Sequence, residues 1–179
     1  MAREVLVGRL GVAVAVVCAT ALTVTAVAVA MPSVRASLGF APPPPAPSYA
    51  AGQPADLPAS LFKQAPHTLV IFFRSDCGAC ARMKPFLARL AARDDDSAVR
   101  VVAVTGAGNR PDALAFAKQI GLGESSLVMM DLGQLRLRRV PTVVLMDRSG
   151  VIQAALEGIP SSQEEEKLLR MVTSLSQPR

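Results

Sequence analysis

The chain has no tryptophan, one tyrosine and a single histidine, His67, and its aromatic residues make up only 4% of the total. That is too little ring surface for the stacking platforms that hold single-stranded nucleic acids. Basic residues exceed acidic ones only modestly, 19 Lys+Arg against 14 Asp+Glu, so no basic face of the nucleic-acid-binding kind is expected either. Cysteine is scarce as well. Three cysteines cannot staple a small scaffold, and one of them, Cys18, lies in an apolar N-terminal stretch. Cys77 and Cys80 are therefore the only pair in the polar part of the chain. A structural zinc site needs four ligands, and with one histidine and no second Cys-x-x-Cys the chain is short of them.

What is present divides the 179 residues into three parts. Arg3 and Arg9 precede an uncharged stretch, residues 10–34, dense in valine and alanine. A helix of about 20 apolar residues spans a bilayer, whereas the apolar core of a signal peptide is about 7–15 residues long. The length favours an uncleaved transmembrane anchor over residues 1–36, with the flanking arginines inside and the remainder of the chain outside. Ala28-Val29-Ala30 and Val34-Arg35-Ala36 offer small-residue cleavage sites, so removal stays open. Val17 does not suit a lipid-attached Cys18, which reads as a small apolar residue of the span. Residues 37–56 form a Pro/Ala-rich linker, and the prolines of residues 41–47 favour an extended, semi-rigid stalk. Residues 57–179 form the folded domain.

Within that domain the periodicity predicts, in order, a short entry helix over residues 57–64 and a buried strand over 68–73. A helix over 77–92 contains Pro85 and is followed by a polar turn over 93–97. Further strands are expected at 99–104, 126–130, 142–146 and 151–156, with a hairpin turn at Asp147-Arg148-Ser149-Gly150. Pro111 and Asp112 suit the start of a helix ending at Ile120. Ser161 and Ser162, each three residues before a glutamate, offer two overlapping capping boxes for a last helix carrying Leu168, Leu169, Val172 and Leu175. The order β-α-β-α-β-β-β-α implies an α/β fold with a mixed central sheet and helices on both faces.

Ser75-Asp76-Cys77-Gly78-Ala79-Cys80 sits where the first strand turns into the first long helix. Unpaired N–H groups and the dipole at a helix start favour negative charge, so a thiolate at Cys77 would be stabilised there. Cys80, one turn on, is close enough to close a disulfide, and the pair reads as a reversible dithiol centre. A structural bridge is the competing reading, but a loop that short adds little stability. His67 reads as a surface residue ahead of the strand.

Phe72-Phe73-Arg74-Ser75-Asp76-Cys77-Gly78-Ala79-Cys80 with Pro85, and Val140-Pro141-Thr142 before an apolar strand, resemble the active-site and cis-proline segments of the thioredoxin superfamily. The resemblance covers residues 57–173. The extra helix and strand over residues 112–130 and the Asp147–Gly150 hairpin are similar to the membrane-anchored bacterial branch, which includes the TlpA and ResA proteins. The stretch around Asp131-Leu132-Gly133 is also similar to the MauD protein of methylamine dehydrogenase maturation.

The resemblance implies a thioredoxin-like fold and a protein thiol–disulfide oxidoreductase. It implies Cys77 as the attacking thiolate, Cys80 as the resolving thiol, a cis bond before Pro141 facing the cysteines, and Val140 pairing its backbone with an extended substrate. It implies no cofactor beyond the redox-active Cys77–Cys80 disulfide. The partners implied are protein thiols or disulfides, together with an upstream membrane or periplasmic redox protein. The place implied is the cytoplasmic membrane, with the domain in the periplasm, and the role is cytochrome c or other metalloenzyme maturation. Arg74 and Val70 stand where a peroxiredoxin needs a hydroxyl residue and a proline, and the CxxxC and later histidine of an SCO-type copper chaperone are missing. A tethered binding or chaperone module with an incidental disulfide is the alternative that remains.

Three departures bear on the chemistry. Asp76 stands where thioredoxins carry tryptophan, either opposing a Cys77 thiolate or capping the helix. Ala79 replaces a common proline, and Ile71 replaces a buried aspartate that aids proton transfer. Arg136, Arg138 and Arg139, with Arg82 and Lys84, read either as solvated positions on separate elements or as a basic rim favouring the thiolate and an acidic partner.

Overall fold

A computed structural model describes residues 48–94 and 98–176. The anchor, the cleavage sites, Cys18, the polyproline stretch and part of the polar turn after the first long helix lie outside the described residues. The described elements are β1 (His67–Phe72), α1 (Gly78–Ala91), β2 (Val99–Thr105), α2 (Arg110–Gln119), β3 (Leu127–Met129), β4 (Thr142–Asp147), β5 (Ile152–Glu157) and α3 (Ser162–Leu175). They follow the expected order, with ends shifted by a residue or two. The expected entry helix is a single 3-10 turn, Ala59–Leu61, and two more 3-10 turns occupy Glu124–Ser126 and Leu132–Gln134.

The five strands form one sheet in the order β3-β2-β1-β4-β5. β1, β2 and β3 run parallel, while β4 pairs antiparallel with β1 and with β5. Alternation along each strand divides the side chains between two cores. Leu69, Ile71, Val101, Ala103, Val143 and Leu145 pack with Met83, Phe86, Leu87 and Leu90 of α1, with Ala113, Phe116 and Ala117 of α2, and with Leu168, Leu169 and Val172 of α3. Val70, Phe72, Val102, Val104, Val144 and Met146 face the other side. Each large apolar side chain taken fully out of water contributes about 1.5–3 kcal/mol.

All three α-helices therefore cover one face, which corrects the expectation of helices on both. The two parallel crossovers step in the same direction across the sheet, and right-handed connections then put both helices on the same side. The opposite face is covered by Leu61 and Phe62 at the end of the first 3-10 turn, by Met130, Leu132, Leu135 and Leu137 from the stretch leading to β4, and by Tyr49 and Ala55.

Tyr49 and Ala55 fall in the stretch that composition assigned to the linker, yet they are 3% and 5% exposed. Ser48–Asp56 runs along β5: Gly52 N–H donates to the Ile152 carbonyl (2.8 Å), Ile152 N–H to Gln53 (2.9 Å) and Ala55 N–H to Gly150 (2.8 Å). The Tyr49 ring lies parallel to that of Phe72, centroids 5.9 Å apart. Proline and alanine content describes a spacer well, but one aromatic ring with a hydrophobic floor to land on is enough to fold this end of it. His67 also differs from expectation. It is the first residue of β1, half-buried, and its buried Nδ1 has no hydrogen-bond partner among the described residues.

Local signals set the ends of these elements. Of the two possible capping boxes at α3, the one that forms joins Ser161 and Glu164: Ser161 N–H donates to Oε2 (2.7 Å), and Glu164 N–H donates to Oγ (3.4 Å). The β4–β5 turn is tied by Asp147, whose Oδ1 accepts from the N–H groups of Ser149 (2.9 Å) and Val151 (3.1 Å). Those bonds, led by the one from the Ser149 hydroxyl, hold the Asp147 carboxyl below its ordinary range. Gly150 completes the turn at φ +83°, and a Cβ there would come 2.8 Å from Phe62 Cζ. Gly150→Ala therefore imposes both a left-handed backbone on a residue with a side chain and a clash with a buried ring. It is expected to cost about 1–3 kcal/mol, read as a lowered midpoint in thermal or urea unfolding.

Candidate active site

Strand register assembles the site. Phe72 pairs with Thr142 across β1 and β4, so the residues that follow β1 and the residues that precede β4 meet at the same end of these two strands. Phe73 remains in the core, donating its N–H to the Val104 carbonyl (3.0 Å) and stacking on Phe116 with centroids 4.5 Å apart. Arg74, Ser75 and Asp76 then emerge into solvent.

α1 begins with Cys77 as its N-cap, in extended backbone geometry, and the Cys77 sulfur accepts a hydrogen bond from Cys80 N–H at 3.2 Å. A sulfur thus occupies the position that a serine or aspartate oxygen fills in most helix caps. Negative charge on it would face an amide donor and the positive end of the helix. Pro85, inside α1, is exposed, while Cys80, Met83, Phe86, Leu87, Leu90 and Ala91 form the buried face.

The two thiols are free and differ in setting: Cys77 is half-buried and Cys80 fully buried. Cys80 shares the apolar core with Ile71 and Met83. Burial, and next its hydrogen bond to the Cys77 sulfur, push the Cys80 thiol up to about 12. Cys80 therefore keeps its proton while Cys77 stands at the surface. The Cys77 thiol also reaches the Val140 carbonyl at 3.6 Å. Val140 is half-buried, Pro141 is buried, and the bond between them is cis. Among the described residues the Val140 amide has no acceptor. The structure therefore brings Cys77, Cys80, Val140 and Pro141 into one place.

Asp76 is not the helix cap. Its carboxylate is held by Arg74, with Nε to Oδ1 at 3.0 Å and Nη2 to Oδ2 at 2.6 Å. The Arg74 hydrogen bond holds the Asp76 carboxyl below its ordinary value. Arg74 lies within electrostatic reach of both cysteines, so the thiols face an ion pair and not a bare carboxylate. The pair is exposed, at 60% and 67%, so its strength is limited by solvent screening. Opposite charges two residues apart were the available signal for it, and helix-cap preference masked that signal. The basic rim is thinner than its sequence suggested. Arg136 pairs with Asp56 at 2.5 Å, and Lys84 Nζ sits over the Phe116 ring, 5.1 Å from its centroid. Beside the site, a cavity of about 600 Å³ is lined by Arg74, Asp76, Thr105, Asn109, Asp112 and Leu132.

A family profile described as a thioredoxin-like domain matches residues 59–173. No curated protein matches the chain. Among solved structures, a candidate protein disulfide isomerase from Bacteroides thetaiotaomicron superposes with a TM-score of 0.57 at 19% identity, covering 73% of this chain and 92% of that one. A candidate thiol:disulfide interchange protein DsbE from Chlorobium tepidum gives 0.51 at 24% identity, over 64% and 83% of the two chains. A secreted disulfide oxidoreductase of Mycobacterium tuberculosis, homologous to E. coli DsbE, gives 0.50 at 18% identity, over 65% and 86%. At these identities the likeness is one of fold.

The difference between the sulfurs has a direct chemical readout. With Cys80 buried and held near 12, the fully reduced protein is expected to take up one equivalent of iodoacetamide at pH 8, on Cys77. The second equivalent should enter only after unfolding or as the pH approaches that value. Peptide mapping that finds Cys80 labelled first, or both labelled at the same rate, would contradict the assignment.

Proposed function

The chain belongs to the thioredoxin-like family, and from that premise we propose that it is a protein thiol–disulfide oxidoreductase working through the Cys77–Cys80 pair. The observation that carries this reading is the division of the two sulfurs. One caps a helix at the surface, within reach of a backbone carbonyl next to Pro141; the other is buried one turn behind it with its proton retained.

In the reducing direction the Cys77 thiolate attacks one sulfur of a substrate disulfide. A Cys77–substrate mixed disulfide forms, and the departing substrate thiolate takes up a proton. Cys80 then loses its proton and attacks the Cys77 sulfur. The Cys77–Cys80 disulfide forms and the second substrate thiol leaves. Two electrons pass from the dithiol to the substrate, and the reverse sequence oxidises a substrate dithiol. Val140 offers its amide to an extended substrate segment, holding the scissile disulfide over Cys77, while Pro141 presents a surface without an N–H. The centre calls for no cofactor beyond its own disulfide.

The finer placement follows the same reading. Residues 1–36 anchor the protein in the cytoplasmic membrane, residues 37–47 act as a stalk, and the thioredoxin-like domain works outside the cytoplasm. Among the described residues no helix is long and apolar enough to cross a membrane. The anchor is supported by the length of the uncharged stretch at residues 10–34. The extra α2–β3 unit supports the TlpA/ResA-like branch, with MauD-like as its variant. The protein substrates are then thiols or disulfides awaiting cytochrome c or metalloenzyme assembly, and an upstream membrane or periplasmic redox protein resets the pair.

Two variants test the roles. Cys77→Ser is expected to bring insulin disulfide reduction down to the uncatalysed background. Cys80→Ser should accumulate a mixed disulfide on Cys77, visible as an adduct that dithiothreitol releases on a gel. Full function retained in Cys77→Ser would instead favour a tethered binding module with an incidental dithiol.

A further inference from the structure

The segment that brings Val140 to Cys77 has no sheet ladder of its own. From Met130 to Val140 its only regular structure is the 3-10 turn at Leu132–Gln134. Its far end is fixed: Gly158 N–H donates to the Pro141 carbonyl (2.8 Å), and the Thr142 hydroxyl donates to the Arg139 carbonyl (2.9 Å). The near end leans on Ser48–Asp56. Arg138 N–H donates to Ser48 Oγ at 3.2 Å, and Arg136 pairs with Asp56 at 2.5 Å. Ser48 N–H is itself held by the Glu157 carboxylate, at the end of β5. Between these ties Tyr49 is buried against Phe72, whose strand partner is Thr142, the residue that follows Pro141.

We propose that residues 48–56 form a positioning strap for the substrate-facing segment, with Ser48 and Asp56 as its two holding points. The strap is fixed to the sheet by Tyr49 and by its backbone bonds to Gly150 and Ile152. It sets the position of Arg136 and Arg138, and through them that of Val140. The Val140 carbonyl lies 3.6 Å from the Cys77 sulfur. A small displacement there misaligns an incoming substrate strand without touching either thiol. The inference rests on the oxidoreductase reading for its effect on substrate, and on geometry alone for its effect on the segment. Ser48 and Asp56 are positioning residues and touch no reacting atom. Among the described residues the Tyr49 hydroxyl has no partner, so the ring and not the oxygen holds the strap.

The test uses the full chain carrying Ser48→Ala together with Asp56→Lys, which removes one tie and makes the other repulsive. Asp56 is exposed and Ser48 half-buried, and Ser48→Ala keeps the backbone bond to Glu157, so the fold is expected to survive with a melting temperature near wild type. The KM for insulin should rise about fivefold at unchanged kcat, the scale of two exposed polar ties. Adding Arg136→Glu to Asp56→Lys should restore much of the lost KM. With Asp56→Lys alone, which leaves the Ser48 hydroxyl in place, hydrogen exchange should quicken at the Arg138 amide and stay unchanged at residues 69–72. An unchanged KM overturns the strap. So does a KM that follows the melting temperature and is not recovered by the charge swap. If the wild-type chain fails to reduce insulin, the oxidoreductase reading falls instead. Hydrogen exchange then decides the strap: faster exchange at the Arg138 amide in Asp56→Lys supports it, and unaltered exchange there overturns it.

Discussion

The site depends on one pairing, the antiparallel register of β1 with β4. Cys77 and Val140 are 63 residues apart in the chain, and nothing local brings them together. Placing Phe72 opposite Thr142 does so, because the chain leaves β1 toward the cysteines at the end where it enters β4 from Pro141. A shift of one residue would turn every side chain of β4 to the opposite face of the sheet. Val143 and Leu145 would leave the helix-covered core, and Val144 and Met146 would enter it. The fit of these particular side chains in the two cores therefore holds the register, and the register sets the geometry of the candidate site.

Within that frame the chemistry comes from unequal placement of two identical groups. α1 leaves its first cysteine half-buried at the cap and turns its second into the core, where burial pushes the Cys80 thiol up. Ile71 adds to this: an apolar residue shares the core with Cys80 where the resemblance would put a carboxylate, so no acid–base group stands at that position. The Arg74–Asp76 pair bears on the outer sulfur, and its charges largely cancel. The proposed roles follow this placement: the sulfur at the helix start faces the Val140 carbonyl and the open side of the site, and the buried one stands a turn behind it.

Much of this was legible in the chain. Uninterrupted apolar runs such as Leu69–Phe73 and Val143–Met146 read as interior strands, and Cys-Gly-Ala-Cys at a strand–helix boundary with Val-Pro-Thr downstream pointed to the centre. What escaped depends on tertiary relations. The face on which α2 packs follows from the direction of two crossovers, which no local pattern records. The Arg74–Asp76 pair competes with a helix cap for the same aspartate, and only the backbone position of Cys77 settles which forms. Tyr49 lies among prolines and alanines, so its composition reads as spacer until Phe72 and the edge of β5 are seen beneath it.

The most direct measurement of the central claim is a redox equilibrium titration of the full chain against glutathione and dithiothreitol, following the Cys77–Cys80 bond by thiol labelling. A single reversible two-electron transition is expected, with a midpoint between about −120 and −270 mV, the range of catalytic dithiols. A midpoint below about −300 mV, or a pair that does not cycle, would make the bond a structural staple and contradict the account.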